Sequence, residues 1–289
     1  MKLLAPAKIN LSLEIRGRRD DGFHEIETLM VPVSVADGLE IERAESGGIA
    51  FSCDDPTVPG DSTNLVVRAA QLFCDELRTM DSTVPPPSFN ISLTKKIPHG
   101  AGLGGGSSDA AATLLALDGM FGTRFGTARL TAMAAKLGSD IPFFIHRSAA
   151  LCRGRGERVE PVDFPHTLHL VLIKPPFGVP TPWAYQRWRD SSELPGVDYA
   201  AQHFPWGRLV NDLERPVFEK YILLAVLKRW LRAQPEATGA LMSGSGATMF
   251  ALARQEADAG VLAEKARAEF GETMWICACR AGGSGTAIT

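Results

Sequence analysis

The 289 residues are 45% hydrophobic and 22% charged, with a formal charge of -3, the composition of an ordinary globular chain. That balance gives no general attraction for nucleic acid or anionic membrane, so an anionic ligand has to be held by local groups. The length predicts two domains rather than one.

Five cysteines, Cys53, Cys74, Cys152, Cys277 and Cys279, are an odd set in a long chain. They argue against a disulfide framework and for a reducing cytoplasm. Cys277 and Cys279 alternate within "MWICACR" as on a strand, without the CxxC spacing of a metal knuckle. The amino-terminal apolar run breaks at Pro6, Lys8 and Asn10, too early for a signal peptide. No run of 18 apolar residues follows it.

In chain order, "AKINLSLEIRG" alternates Ile9, Leu11, Leu13 and Ile15 with polar residues and predicts a strand. A turn at "RRDDGFHE" leads to an apolar segment, "IETLMVPVSV", and then to two shorter strands, "GLEIERA" and "GIAFSC". From Asn64 to Leu77 the apolar spacing is helical, whereas "SFNISLTKKIP" alternates again and stops at Pro98. A glycine ribbon follows, with a helix beginning at Ser107. "TARLTAMAAKLG" predicts a helix and "IPFFIH" an extended segment. Strands and helices follow one another without a βαβ rhythm, which predicts an α+β fold.

The charged, glycine-broken "RGRGERVEPV" predicts a boundary between domains 1–155 and 156–289. Its arginines, like those of "RGRR", read as solvated loops. "HLVLIKPP" predicts a strand, "FGVPTPWAYQRW" a loop, and "ERPVFEKYILLAVLKRWLRAQ" and "EADAGVLAEKARAEFG" helices. "GALMSGSGATMFALA" is a glycine-serine turn between strand-like runs, "TMWICACR" a last strand, and "AGGSGTAIT" a terminal tail.

The ribbon places five glycines in the seven positions from Gly100 to Gly106. It contains G-x-G-x-x-G, but a dinucleotide fingerprint needs an acidic residue after a second strand, and Asp118 lies inside a helical segment. No lysine follows the glycines as in a Walker loop, and no G-x-S-x-G elbow is present. A flexible connector would not run directly into Ser-Ser-Asp and an apolar helix. Glycine lets successive N–H groups converge on one anion, and the helix start adds free donors. The helix dipole supplies only about 0.3–1 kcal/mol, against about 1.5–3 kcal/mol for each charge-assisted hydrogen bond, so several loop donors have to act together. Asp109 would repel phosphate from the first turn unless it faces away or is screened by a cation.

"PHGAGLGGGSSDAA" resembles the phosphate-binding signature of the GHMP kinase superfamily. "PAKINLSLEI" and "GALMSGSGATMFAL" are similar to the superfamily's first and third motifs. "DGFHEIETLM", "GSDIPFF", "PTPWAY" and "NDLE" resemble the branch whose acceptor is a cytidine-diphosphate-linked methylerythritol. The resemblance implies an amino-terminal domain like ribosomal protein S5 domain 2, a ferredoxin-like carboxy-terminal domain, and an active site in the cleft between them. It implies ATP with Mg2+ and transfer of the γ-phosphoryl group to a 2-hydroxyl, on a route to isoprenoid precursors that does not use mevalonate.

Carried over residue by residue, the motifs imply a catalytic pair, Lys8 and Asp140. Asp140 is either a general base or a group that only positions the hydroxyl. The ATP site would comprise Asn64, Leu65, Lys95, Lys96, Pro98, His99, Gly100, Ala101, Gly102, Leu103, Gly104, Gly105, Gly106, Ser107 and Ser108. One of the two serines would touch Mg2+, and no carboxylate ligand is assigned. The acceptor site would comprise Asn10, Phe23, His24, Asp140, Thr181, Pro182, Tyr185, Gly244 and Ser245. Asn10 shares a strand face with Lys8, Phe23 stands where relatives often carry tyrosine, and base stacking contributes about 1–3 kcal/mol. A monomer or weak homodimer is expected, with no nucleic-acid or membrane partner. A kinase for another small alcohol, such as phosphomevalonate or homoserine, and a non-catalytic nucleotide sensor are the competing readings.

Overall fold

The computed structural model describes residues 1–80 and 87–282. The chain opens with two long antiparallel strands, β1 (Lys2–Arg18) and β2 (His24–Ala44), paired from Lys2 opposite Glu40 to Arg18 opposite His24. Sequence patterning divides β2 near Gly38, but it runs on unbroken. Gly38 pairs with Thr94 of β4 (Ser88–Thr94), which itself lies parallel to β3 (Ile49–Cys53). Nearer its start, β2 pairs with β5 (Ala150–Gly154), and β5 with β6 (Arg158–Pro161).

The helices α1 (Leu65–Met80), α2 (Gly105–Phe121), α3 (Gly126–Leu137) and α4 (Ile141–His146) share one core with this sheet, including Phe73, Phe89, Ile91, Leu114 and Phe143. The extended reading of "IPFFIH" is wrong: it forms α4, with Pro142 in the first turn and all of Ile141 to Ile145 buried. A short run that is apolar on every side carries no period to separate strand from buried helix, and proline is tolerated at a helix start.

The second half builds on β7 (Thr167–Lys174), flanked by β11 (Met249–Ala253) and β12 (Trp275–Gly282), with β10 (Ala237–Met242) outside β11. Helices α5 (Thr181–Arg187), α6 (Glu214–Lys220), α7 (Ile222–Ala233) and α8 (Glu256–Phe270) complete it, together with the short β8 (Gln202–Phe204) and β9 (Gly207–Asn211). The segment predicted as a loop around "PTPWAY" contains α5, again with proline in its first turn. The long helix predicted from "ERPVFEKYILLAVLKRWLRAQ" breaks at Tyr221, whose φ of -109° and ψ of 68° are not helical. Ala281 and Gly282 of the predicted tail belong to β12, and residues 283–289 lie outside the described residues.

The halves join through the sheet. Ala281 pairs with Val33, and β9 runs parallel to β1 at Ser12 and Leu13. A third core, including Ile9, Leu11, Val31, Leu172, Leu241 and Phe250, fills the junction. The bulge in β1 at Asn10/Ser12 moves Leu13 and Ile15 into the second half's core, although strict alternation puts all four apolar residues on one face. A cut at residue 155 would separate a pair of hydrogen-bonded strands, since it falls in the β5–β6 turn. We propose that the chain changes domain between Pro161 and Thr167.

One buried ion pair braces the second half. Glu214 and Lys228 are 1% and 2% exposed, their charged atoms lie 2.5 Å apart, and Glu214 also accepts the Met242 N–H at 2.9 Å. Burial pushes the Glu214 carboxyl above its ordinary range, so its ionised form depends on Lys228. Removing one member of such a pair strands a buried charge, at about 3–5 kcal/mol. Lys228→Met should therefore shift the urea unfolding midpoint strongly downward, and adding Glu214→Gln should recover most of the loss. A double variant no better than the single one would refute this account.

Candidate active site

A cleft of about 710 Å3 lies between the halves, bounded by Lys8, Asn10, Gly102, Asp140 and Tyr185 among others. On β1, Ile9 and Leu11 face the junction core, so Lys8 and Asn10 face the opposite way, into the cleft. Lys8 is 3% exposed. Its ammonium donates to Asn10 Oδ1 at 2.7 Å and to the Gly102 carbonyl at 3.1 Å, and lies 3.7 Å from Asp140 Oδ2. Asn10 Nδ2 donates to Thr28 Oγ1 at 2.8 Å, and that hydroxyl donates to the Ser12 carbonyl at 2.6 Å. This relay fixes the Asn10 amide with its oxygen toward Lys8.

Asp140 stands at the N-cap position of α4, yet its side chain makes no capping hydrogen bond. Its carboxylate is about a third exposed, and among the described residues Lys8 is the only cation within 4 Å of it. A capping role therefore does not account for this aspartate.

The ribbon is clamped rather than loose. Gly102 has φ of +73°, and a Cβ there would lie 2.3 Å from the Ser243 carbonyl oxygen, so the ribbon and the glycine-serine turn meet backbone to backbone. Lys8 N–H donates to the Leu103 carbonyl at 2.9 Å, Thr248 N–H to the Ala101 carbonyl at 3.2 Å, and Ser243 Oγ to the Gly102 carbonyl at 3.0 Å. The predicted helix start at Ser107 is corrected. Gly104, at φ +70°, is the N-cap without a side-chain cap, and α2 begins at Gly105. A helix leaves its first amides without intrahelical partners, and with glycine at 104, 105 and 106 those amides can be approached closely. Ser108 is buried within the helix and donates its N–H to the Gly104 carbonyl at 2.9 Å, whereas Ser107 keeps partial exposure.

Lys95 points inward. Its ammonium contacts Asp37 and lies 2.9 Å from Asp109 Oδ2, while Asp37 Oδ1 accepts the N–H groups of Lys96 and Ile97 at 2.6 and 2.9 Å. Asp109 is thus both buried and screened by a cation. Burial pushes its carboxyl up to about 7, although Lys95 opposes the shift. Asn64 caps α1 by accepting the Val66 N–H at 2.8 Å and donates to the Pro59 carbonyl at 2.7 Å. Leu65 packs on the first core. Lys96, His99 and Gly100 remain exposed beside the partly buried Pro98.

At the other end of the cleft, His24 opens β2 and stacks on Tyr185 at 5.4 Å between ring centroids, with Trp188 edge-on at 6.0 Å. Phe23 is 53% exposed and lies under the Arg155 guanidinium, 4.6 Å from ring to Cζ. Thr181 and Ser245 hydroxyls are 2.7 Å apart, tying α5 and Pro182 to the glycine-serine turn. That turn is supported from below by Asn211, which donates to the Met242 and Gly244 carbonyls at 2.7 and 2.8 Å. The cleft thus gathers Lys8, Asn10, Phe23, His24, Asp140, Thr181, Pro182, Tyr185, Gly244 and Ser245 with Gly102 and Gly104 of the ribbon. Lys95 and Asn64 do not line it. Arg155, in a turn whose sequence reads as solvated, lines it as well; only its basic charge next to glycines marks it in the sequence.

Models of the GHMP kinases N terminal domain and the GHMP kinases C terminal match residues 64–148 and 203–272. A protein of Methylacidiphilum infernorum named 4-diphosphocytidyl-2-C-methyl-D-erythritol kinase is 43% identical over 277 residues, covering 94% of this chain and 93% of its own. The chain belongs to this family of GHMP kinases. A kinase of the same name from Citrifermentans bemidjiense is 37% identical, with 90% of this chain and 91% of its own covered. A crystal structure of 4-(cytidine 5'-diphospho)-2C-methyl-D-erythritol kinase superposes with a TM-score of 0.81 at 38% identity, covering 98% of this chain and all of its own. A homoserine kinase from Cytophaga hutchinsonii, at 19% identity and a TM-score of 0.66 over 98% of this chain and 94% of its own, shares the fold alone.

His24 in this kinase is held below the ordinary imidazole range by burial first and by Arg18 and Arg189 second. A lowered value means that the neutral ring persists to more acidic pH than usual. Histidine NMR titration should place the His24 midpoint below about 6.5, and a midpoint at or above that value would contradict the packing described.

Proposed function

We infer that this kinase transfers the γ-phosphoryl group of ATP to the 2-hydroxyl of 4-diphosphocytidyl-2-C-methyl-D-erythritol, giving the 2-phosphate and ADP, on a mevalonate-independent route to isoprenoid precursors. The observation that carries the reading is the Lys8–Asp140 pair, 3.7 Å apart, set between a glycine-lined helix start and an aromatic wall. Phosphoryl transfer asks the protein mainly for positioning and charge stabilisation. Asp140 accepts the proton of the acceptor hydroxyl while that oxygen bonds to the γ-phosphorus and the bond to the β-phosphate oxygen breaks. Lys8 offsets the negative charge that gathers on the attacking oxygen, and Asn10 holds Lys8 in place.

The ribbon amides and the first turn of α2 hold the ATP phosphates. No group of three or more His, Cys, Asp or Glu side chains suited to a metal exists among the described residues, and Asp109 is already bound by Lys95. The described residues therefore offer no carboxylate cage. Ser107, the less buried of the two serines, would contact Mg2+ carried by the nucleotide, which would offset charge on the phosphates. Phe23, His24 and Tyr185 form the cytosine end. The cysteines described are unpaired, in keeping with a reducing cytoplasm.

In single-turnover assays, Asp140→Asn should slow phosphoryl transfer about 100-fold or more, the usual contribution of a positioned proton acceptor. A near-native rate would remove Asp140 from the reaction. His24→Ala should raise KM for the cytidine substrate well above any change in KM for ATP, and equal changes would undo its placement. A panel of alcohols offered with Mg-ATP and followed by ADP release distinguishes this acceptor from phosphomevalonate and homoserine, and no release with any of them would indicate a sensor.

A further inference from the structure

The acceptor inferred above carries a diphosphate between its cytidine and its reacting end, and that double anion needs a cation in the cleft. Three basic side chains besides His24 line it: Lys8, Lys136 and Arg155. Lys8 is committed to Asn10, Gly102 and Asp140. Lys136 pairs with Glu76 at 2.9 Å. Arg155 differs from both. Among the described residues its guanidinium makes no hydrogen bond, its nearest carboxylate is that of Glu157 at 4.0 Å, and it rests over the Phe23 ring.

The backbone carrying Arg155 is held by hydrogen bonds in which its guanidinium takes no part. In the β5–β6 turn, Arg155 N–H donates to Glu157 Oε2 at 2.6 Å, Gly156 N–H to the Arg153 carbonyl at 3.1 Å, and Gly154 N–H to Glu25 Oε1 at 3.2 Å. A Cβ on Gly156 would stand 3.5 Å from Asp140 Oδ1. The Arg155 side chain therefore starts beside the phosphoryl-accepting end of the cleft and reaches to the base-stacking end. The diphosphate of the acceptor joins those same two ends.

We propose that Arg155 is the residue that binds the diphosphate of the nucleotide-linked acceptor, exchanging its contact with Phe23 for paired hydrogen bonds to phosphate oxygens. A cation–π contact at an exposed ring is weak, whereas the planar guanidinium fork matches phosphate oxygens two at a time. The exchange uncovers the Phe23 face for the base, so recognition of base and of diphosphate are linked through one side chain. This role rests on the acceptor inferred above.

Calorimetric titration of the full chain with cytidine, CMP and CDP tests both readings separately. Wild type should bind CDP more tightly than cytidine. Arg155→Ala should remove about tenfold to a hundredfold of that advantage, the contribution of one or two charge-assisted hydrogen bonds, with cytidine affinity not reduced, since the Phe23 face is then already uncovered. Arg155→Lys, which keeps the charge and loses the fork, should recover some of it. An unchanged CDP advantage in Arg155→Ala, or an equal loss for cytidine and CDP, overturns the assignment while leaving the acceptor intact. Failure of wild type to bind any of the three overturns the acceptor itself, and this assignment with it.

Discussion

The Lys8 ammonium is almost wholly buried, and an isolated charge in that position would cost several kcal/mol. It is tolerated because three different segments of the chain converge on it: Asn10 from its own strand, the Gly102 carbonyl from the ribbon, and Asp140 from the start of α4. Meeting that requirement brings together in space the segments to which the proposed phosphoryl transfer is assigned. The strand, the glycine ribbon and the Asp140 carboxylate are held by one cation.

The convergence is possible only where side chains are missing. A Cβ on Gly102 would overlap the Ser243 carbonyl, and one on Gly104 would lie 2.8 Å from the Phe144 ring and 3.2 Å from Lys8 Cγ. These glycines bring backbone close to backbone and to the buried lysine. The glycine-serine turn that meets them is in turn held by Asn211 and, through Met242, by the buried Glu214–Lys228 pair. A charge pair in the second half's core thereby supports the geometry of a loop at the active site.

Charge near the site is handled in two opposite ways. Lys95 is consumed in neutralising Asp37 and Asp109, which screens the buried carboxylate in the second turn of α2 from the helix end proposed to hold phosphate. Among the described residues the Arg155 guanidinium, on the other side of the cleft, makes no hydrogen bond and rests on the Phe23 ring. The two residues are alike in formal charge and in lying next to glycine-rich turns. Their neighbours give them different uses.

The order of motifs, the α+β class, the strand around Lys8 and Asn10, and the glycine loop that leads into a helix were legible in the sequence because each rests on local rules: period, missing side chains and residue type. Short all-apolar runs were not, because "IPFFIH" is buried on every side and has no period to read. The face to which Leu13 and Ile15 turn was not either, since a bulge set by pairing with β2 interrupts the alternation. Family resemblance named Asn64 for the nucleotide and its place before the ribbon named Lys95; the partners they have, two carboxylates for Lys95 and the start of α1 for Asn64, came only from tertiary structure. It also carried Arg155 into the cleft. What a polar side chain does depends on which partners the fold brings into contact with it, and those partners lie far along the chain: Gly102 for Lys8, Asp37 for Lys95, Phe23 for Arg155.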